Sequence, residues 1–214
     1  MPNTQNPNEL VLKGTTTVGI VCRDGVILAS DTRVTMGFFV AHHKGKKVYK
    51  IDDHMAMTIS GVVSDAQRAV DILKANAQLY RLNNSRPMPI NSAARLIANL
   101  LFNSRYAPLI AQILIGGLDD TGPHVYSIDP FGSITEEKMT ATGSGSPIAY
   151  GVLEDKYKPD SAVKDMVGIV VKAVESAMRR DAASGDSFDV TIIDKKGYRE
   201  LNEKEKRTIA TANS

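Results

Sequence analysis

Lys13-Gly14-Thr15-Thr16-Thr17-Val18-Gly19 sets a glycine directly ahead of three threonines, at the point where a first β-strand begins. Cleavage of the Gly14–Thr15 bond would leave Thr15 with a hydroxyl and a free amine on neighbouring carbons. An α-amine titrates near about 7.7–8.0, so part of it is an unprotonated base at neutral pH. Such a residue carries its own general base for a weak hydroxyl nucleophile. The chemistry calls for two helpers. A nearby cation keeps the amine partly neutral, because a like charge disfavours the ammonium form, and Lys44, Lys46 and Lys47 stand just before an apolar strand pattern. A carboxylate must then hold that lysine, and Asp31 closes a strand within Ser30-Asp31-Thr32-Arg33. Each group alone has a plainer reading: a linker glycine entering a strand, where threonine is common, a strand-end turn aspartate, a solvated surface lysine.

The elements that would position these groups follow from periodicity and turn signals. Apolar runs over 16–22 and 26–30, joined by Arg23-Asp24-Gly25, predict a hairpin, and 47–51 with 55–61, joined through Asp52-Asp53, predict a second pair. Ser64-Asp65-Ala66-Gln67 matches a capping box, and Ala66, Val70, Leu73, Ala77 and Tyr80 continue it as a helix ending near Leu82. A second amphipathic helix is expected over roughly 91–104. Strands are expected over 110–117, 124–129 and 133–141, then a helix over about 148–157. A long helix capped by Asp160 or Ser161 carries Val163, Val167, Val170, Val174 and Ala177 on one face and runs to about Ala183. A hairpin of 188–193 with 198–201 follows, and 202–214 reads as a polar, mobile tail. Paired helices between blocks of strands suit two packed antiparallel sheets with helix layers outside, an α+β sandwich, rather than an alternating parallel sheet.

The bulk numbers set limits. A length of 214 residues fits one domain, and 43 % hydrophobic with 23 % charged residues is ordinary for a globular chain. A net charge of +2 is too mild to argue for nucleic acid or an anionic membrane. No apolar run approaches the about 20 residues of a membrane span, and residues 1–8 lack a signal-peptide pattern. The single cysteine, Cys22, allows no intrachain disulfide and fits a reducing compartment. None of His42, His43, His54 and His124 has metal-site spacing with a carboxylate, so neither a metal nor another cofactor is expected. Residues 1–14, rich in Asn and Pro, read as a removable leader.

Six segments in register then carry a resemblance. They are Thr15-Thr16-Thr17-Val18-Gly19-Ile20, Ser30-Asp31-Thr32-Arg33-Val34-Thr35, Gly45-Lys46-Lys47-Val48-Tyr49, Thr58-Ile59-Ser60-Gly61, Thr142-Gly143-Ser144-Gly145-Ser146 and Arg180-Asp181-Ala182-Ala183-Ser184-Gly185. Over about 15–200 the chain resembles the β subunit of the archaeal-type 20S proteasome, an N-terminal-nucleophile threonine peptidase. The resemblance implies a four-layer αββα sandwich, the N-terminal nucleophile hydrolase fold. It implies that residues 1–14 are a propeptide removed autocatalytically at Gly14–Thr15, leaving 15–214 as one peptidase domain. Thr15 aligns with the catalytic threonine, Asp31 and Lys47 with the pair that tunes it, and Ser144, Asp181 and Ser184 with the network around its amine. Gly61 aligns with the oxyanion-hole glycine. Val34, Gly45, Tyr49, Ile59, Val63 and Gln67 match the S1 lining, which is mostly apolar and so favours hydrophobic P1 residues. Thr35 and Gly61 would offer main-chain groups to an extended peptide. The implied partners are homologous β subunits in a seven-membered ring, α-subunit rings, an ATP-dependent unfoldase and unfolded polypeptides, in the cytoplasm. A non-catalytic ring subunit of the same fold and a bacterial HslV-type peptidase are the alternatives.

Overall fold

The computed structural model describes residues 14–104, 106 and 109–212, without the side chains of residues 63–66 and 212. Residues 1–13 of the expected leader therefore lie outside the described residues, as do the side chains of Ser64 and Val63.

The chain opens with β1 (Thr17–Cys22) and β2 (Gly25–Asp31), antiparallel around Arg23-Asp24 with Cys22 opposite Gly25. A short hairpin follows, β3 (Val34–Met36) with β4 (Phe39–His42), then β5 (Val48–Asp52) and β6 (Met55–Gly61). Two helices come next, α1 (Val63–Asn84) and α2 (Ile90–Asn103). Four strands succeed them: β7 (Ala111–Asp119), β8 (Gly122–Ile128), β9 (Ile134–Glu136) and β10 (Met139–Thr142). Helices α3 (Ser146–Lys156) and α4 (Val163–Arg180) precede β11 (Phe188–Asp194), β12 (Gly197–Glu200) and α5 (Glu203–Ala212).

Two five-stranded antiparallel sheets result, ordered β10-β1-β2-β11-β12 and β5-β6-β7-β8-β9. Every residue of β1 and β2 is buried, because their sheet is covered on both faces. On β2, Ile27 and Ala29 pack toward Val170, Val171 and Val174 of α4, whereas Val26 and Leu28 pack toward Val48, Ala56 and Val125 of the other sheet. A strand buried on both faces loses the apolar–polar alternation of a half-exposed one and reads as a continuous apolar run. The second sheet buries its outer face under Ala69, Val70 and Leu73 of α1 and Ala94, Ile97 and Leu101 of α2. Helices, sheet, sheet, helices: this is the four-layer αββα sandwich. Truncating one of its fully buried side chains, such as Leu28 or Ile27, costs about 2–5 kcal/mol through lost burial and the cavity left behind. Among the described residues no helix is long and apolar enough to cross a membrane.

Between the sheets the apolar filling gives way, toward the β6 C-terminus, to hydroxyls. Thr17 on β1 and Thr142 on β10 join at 2.7 Å, and both reach across to β6, through Thr58 at 3.2 Å and Ser60 at 3.0 Å respectively.

Several expectations are corrected. The span 133–141 is two strands in different sheets: β9 pairs with β8, and β10 pairs with β1. Helix α1 starts one residue before Ser64, with Val62 at its N-cap, so Ser64 is not the cap. Helix α4 is capped by Ala162 rather than by Asp160 or Ser161, and it stops at Arg180, not 183. The polar tail is largely helix α5. Its start carries a capping pair, Asn202 Oδ1 accepting from Glu205 N and Glu205 Oε2 accepting from Asn202 N. Lys206 of α5 is buried and donates to the Phe188 carbonyl at 2.9 Å.

Candidate active site

Four strand or helix ends meet at one side of the first sheet: the start of β1, the end of β2, the approach to β5, and the loop after α4. Thr15 stands just ahead of β1 and is 4 % exposed. Its backbone enters the sheet because Thr16 O accepts from Asp31 N at 3.1 Å, and Thr17 then pairs with Ser30.

Asp31, fully buried at the end of β2, gathers four N–H donors. Thr16 N (2.9 Å) and Lys47 Nζ (2.7 Å) reach Oδ1, and Arg33 N (3.1 Å) and Gly185 N (3.0 Å) reach Oδ2. Donors to a carboxylate stabilise its charge and offset its burial. Lys47 is itself buried, and burial lowers its ammonium pKa, with the Asp31 carboxylate pulling the other way. A lysine held like this sheds its proton more readily than an exposed one.

On the other side of Thr15, Asp181 caps α4. Its Oδ2 accepts from Ser144 Oγ at 2.5 Å and from Ser184 Oγ at 2.6 Å. Ser184 has a single hydroxyl hydrogen and gives it to Asp181, so in the 2.8 Å contact with Thr16 Oγ1 the threonine donates. Ser144 Oγ in turn accepts from Thr15 N at 3.4 Å. Thr15 Oγ1 is hydrogen-bonded to the carbonyl oxygen of Gly14. Thr15, Ser144, Asp181 and Ser184 thus form one chain of contacts, which Thr16 joins to Asp31 and Lys47.

Two glycines are demanded by backbone geometry. Gly61, closing β6, has φ +137°, and a Cβ there would lie 2.0 Å from the Ile110 carbonyl oxygen. Gly143 has φ +91°, and a Cβ would lie 2.0 Å from the Thr15 carbonyl oxygen. Both values lie where side chains are disfavoured.

The expected pocket residues are partly joined. A Cβ on Gly45 would lie 2.2 Å from Val34 Cγ2, so these two are in direct apposition. Ile59 N donates to Lys47 O at 3.1 Å, which sets Ile59 beside the lysine, and Tyr49 Oη donates to Lys46 O at 2.8 Å. Thr35 lies on β3, and Gln67 is exposed on α1; the side chain of Val63 is outside the described residues.

Arg33 and Gly185 stand within the sequence motifs but carry no role that the motifs imply. Arg33 donates to Ala182 O at 2.9 Å and grips Asp186 through Nε at 3.0 Å and Nη2 at 3.3 Å. His43 Nδ1 meets the same carboxylate at 2.9 Å. Arg33 first and His43 second pull the Asp186 pKa down to about 2. Asp186 has φ +67°, a left-handed conformation uncommon for a residue with a side chain. The one signal in the sequence was that Arg33 follows Asp31 by two positions.

Residues 11–193 match the family described as Proteasome subunit. The chain is 48 % identical over 203 residues to the proteasome subunit beta of Methanosarcina barkeri, covering 94 % of this chain and 96 % of that one. It is 49 % identical over 195 residues to the proteasome subunit beta of Methanothermobacter thermautotrophicus, covering 91 % and 93 %. With the same protein of Ferroglobus placidus it shares 49 % identity over 203 residues, covering 94 % and 97 %.

Proposed function

Since the chain belongs to the proteasome subunit family, we propose that it is a catalytic β subunit of a 20S core particle, a threonine endopeptidase made as a precursor and self-processed at Gly14–Thr15. The observation that carries this is the network in which Thr15 N reaches the Ser144–Asp181–Ser184 triad and the adjoining Thr16 joins that triad to the Asp31–Lys47 pair.

In the precursor, Thr15 Oγ1 attacks the Gly14 carbonyl carbon. The hydroxyl proton goes to a base, the C–N bond breaks, and the nitrogen takes up a proton to become the free amine. The resulting Gly14–Oγ ester is hydrolysed by water, which releases residues 1–14 as a carboxylic acid and returns the hydroxyl. From then on the Thr15 amine is the base. The neighbouring Lys47 cation holds down the amine's proton affinity, and Ser144 and Asp181 orient it.

On a polypeptide, Oγ1 attacks the scissile carbonyl and the amine relays its proton to the departing nitrogen. Water then cleaves the acyl ester. The Gly61 N–H is the proposed oxyanion donor; one such donor is worth roughly 2.7–4 kcal/mol in comparable acyl transfer. Thr35 and Gly61 bind the substrate main chain as an added strand. Val34, Gly45, Tyr49, Ile59, Val63 and Gln67 form a mostly apolar S1 pocket with a chymotrypsin-like preference. The subunit works in a seven-membered ring of homologous β subunits between α rings, fed with unfolded polypeptides by an ATP-dependent unfoldase in the cytoplasm.

The test is the N-terminus of assembled material by mass spectrometry. Thr15 is expected as first residue, and Thr15→Ala is expected to keep residues 1–14 and lose peptide cleavage while folding normally. Full activity with Met1 retained, or normal turnover by Thr15→Ala, would overturn the assignment.

A further inference from the structure

Gly14 meets the loop after α4 at closer range than any side chain would allow. A Cβ on Gly14 would lie 1.9 Å from Ala183 Cβ, 2.7 Å from Ala183 O and 2.8 Å from Ala183 Cα. A side chain at position 14 has no room, because Ala183 takes that space.

The loop cannot step aside. Ala183 N donates to Asp181 Oδ1 at 3.3 Å, Ala182 O accepts from Arg33 Nη1 at 2.9 Å, and Gly185 N donates to Asp31 Oδ2 at 3.0 Å. Ser184 Oγ is held between Asp181 and Thr16. A larger residue 14 would therefore move itself rather than the loop. Since the Gly14 carbonyl oxygen is bonded to Thr15 Oγ1, that movement shifts the very bond to be cut.

We propose that Ala183 is a specificity-determining residue for self-processing: its methyl group and main chain form a wall that admits only glycine ahead of the scissile bond and seats the Gly14 carbonyl against Thr15 Oγ1. This rests on the processing reaction proposed above and names the residue that selects its substrate. The wall acts on the chain's own leader, in which residue 14 precedes the nucleophile.

The experiment follows leader loss over time by intact mass in the full chain assembled with its partner subunits. Gly14→Ala is expected to slow processing about 5- to 100-fold, the range set by forcing one extra carbon into a packed site. Adding Ala183→Gly is expected to speed the Gly14→Ala chain several-fold, incompletely because the main-chain contacts at 2.7 and 2.8 Å remain. The same change is expected to give no acceleration when Gly14 is kept. Such reciprocal rescue is not produced by a residue that merely stabilises the loop. Ala183→Val with Gly14 in place, a second variant should Ala183→Gly fold poorly, is expected to slow leader loss. Unimpaired processing by Gly14→Ala or by Ala183→Val would overturn the proposal, as would a double variant as slow as Gly14→Ala alone. A Thr15→Ala chain that still shed residues 1–14 would instead sink self-cleavage itself, and this inference with it.

Discussion

Two ion pairs lie within a few residues of each other and do opposite work. Lys47 and Asp31 are 8 % and 0 % exposed at the side chain, while Arg33 and Asp186 are 24 % and 21 % exposed. In the buried pair, desolvation opposes charge on the lysine and its pKa falls. In the outer pair, the guanidinium keeps its charge and the carboxyl is drawn down to about 2. The lesson is that depth decides the role: burial loosens the inner lysine's hold on its proton, and the outer pair is a clasp whose charges stay fixed near neutral pH.

The sharpest way to break that contrast is Lys47→Met. It strands a buried carboxylate with only main-chain N–H partners, a loss expected to cost about 3–5 kcal/mol, with leader processing abolished. Urea unfolding and intact mass would check both; a stable, processed variant would contradict the inner pair's role. Ser184→Ala comes next. It removes one donor from Asp181 and the acceptor of the Thr16 hydroxyl, and about 1–3 kcal/mol is expected from the groups left unsatisfied. Asp186→Asn is smaller still. Solvent screens a pair this exposed, so about 0–1 kcal/mol is expected at neutral pH.

Acid and alkali separate the pairs further. The folded pKa of Asp186 is depressed, so its contribution is complete above the ordinary 3.8 and is lost as pH falls toward about 2. The stability difference between the parent and Asp186→Asn is therefore expected to shrink over that interval. Lys47 is also depressed, but as a base: the unfolded chain holds this proton longer than the native one. Stability is therefore expected to rise with pH through the window below 10.5, and Lys47→Met to flatten that rise. A Lys47→Met curve parallel to the parent in alkali would remove the distinction.

Much of this fold could be read from apolar spacing, because α2, α4 and the paired strands bury what their patterns say they bury. The failures have physical causes. The hairpin β3–β4 carries Met36, Phe38 and Phe39 at 72 %, 100 % and 69 % exposure, so no core-facing pattern announces it. The break between β9 and β10 is a change of partner, which leaves no trace in an uninterrupted run of residues. Helix α5 has few apolar residues, of which Ile209 and Ala210 pack on the core, and it is fastened as well by Lys206, whose ammonium reaches Phe188 O at 2.9 Å and Asp189 at 3.3 Å. Polar composition alone made that segment look loose. At the site, Asp31 and Lys47 were legible because strand ends present their side chains at defined places. Arg33 and Ala183 were not, since their partners, Asp186 and Gly14, lie more than a hundred residues away along the chain.

The threonine and serine contacts between the sheets have a mechanical consequence. Apolar packing is non-directional, whereas hydroxyl pairs are directional and specify one alignment. Thr17, Thr58, Ser60 and Thr142 behave like dowels driven through two boards at one end of the stack. They fix the alignment of β6, which ends in Gly61, with β1, which follows Thr15.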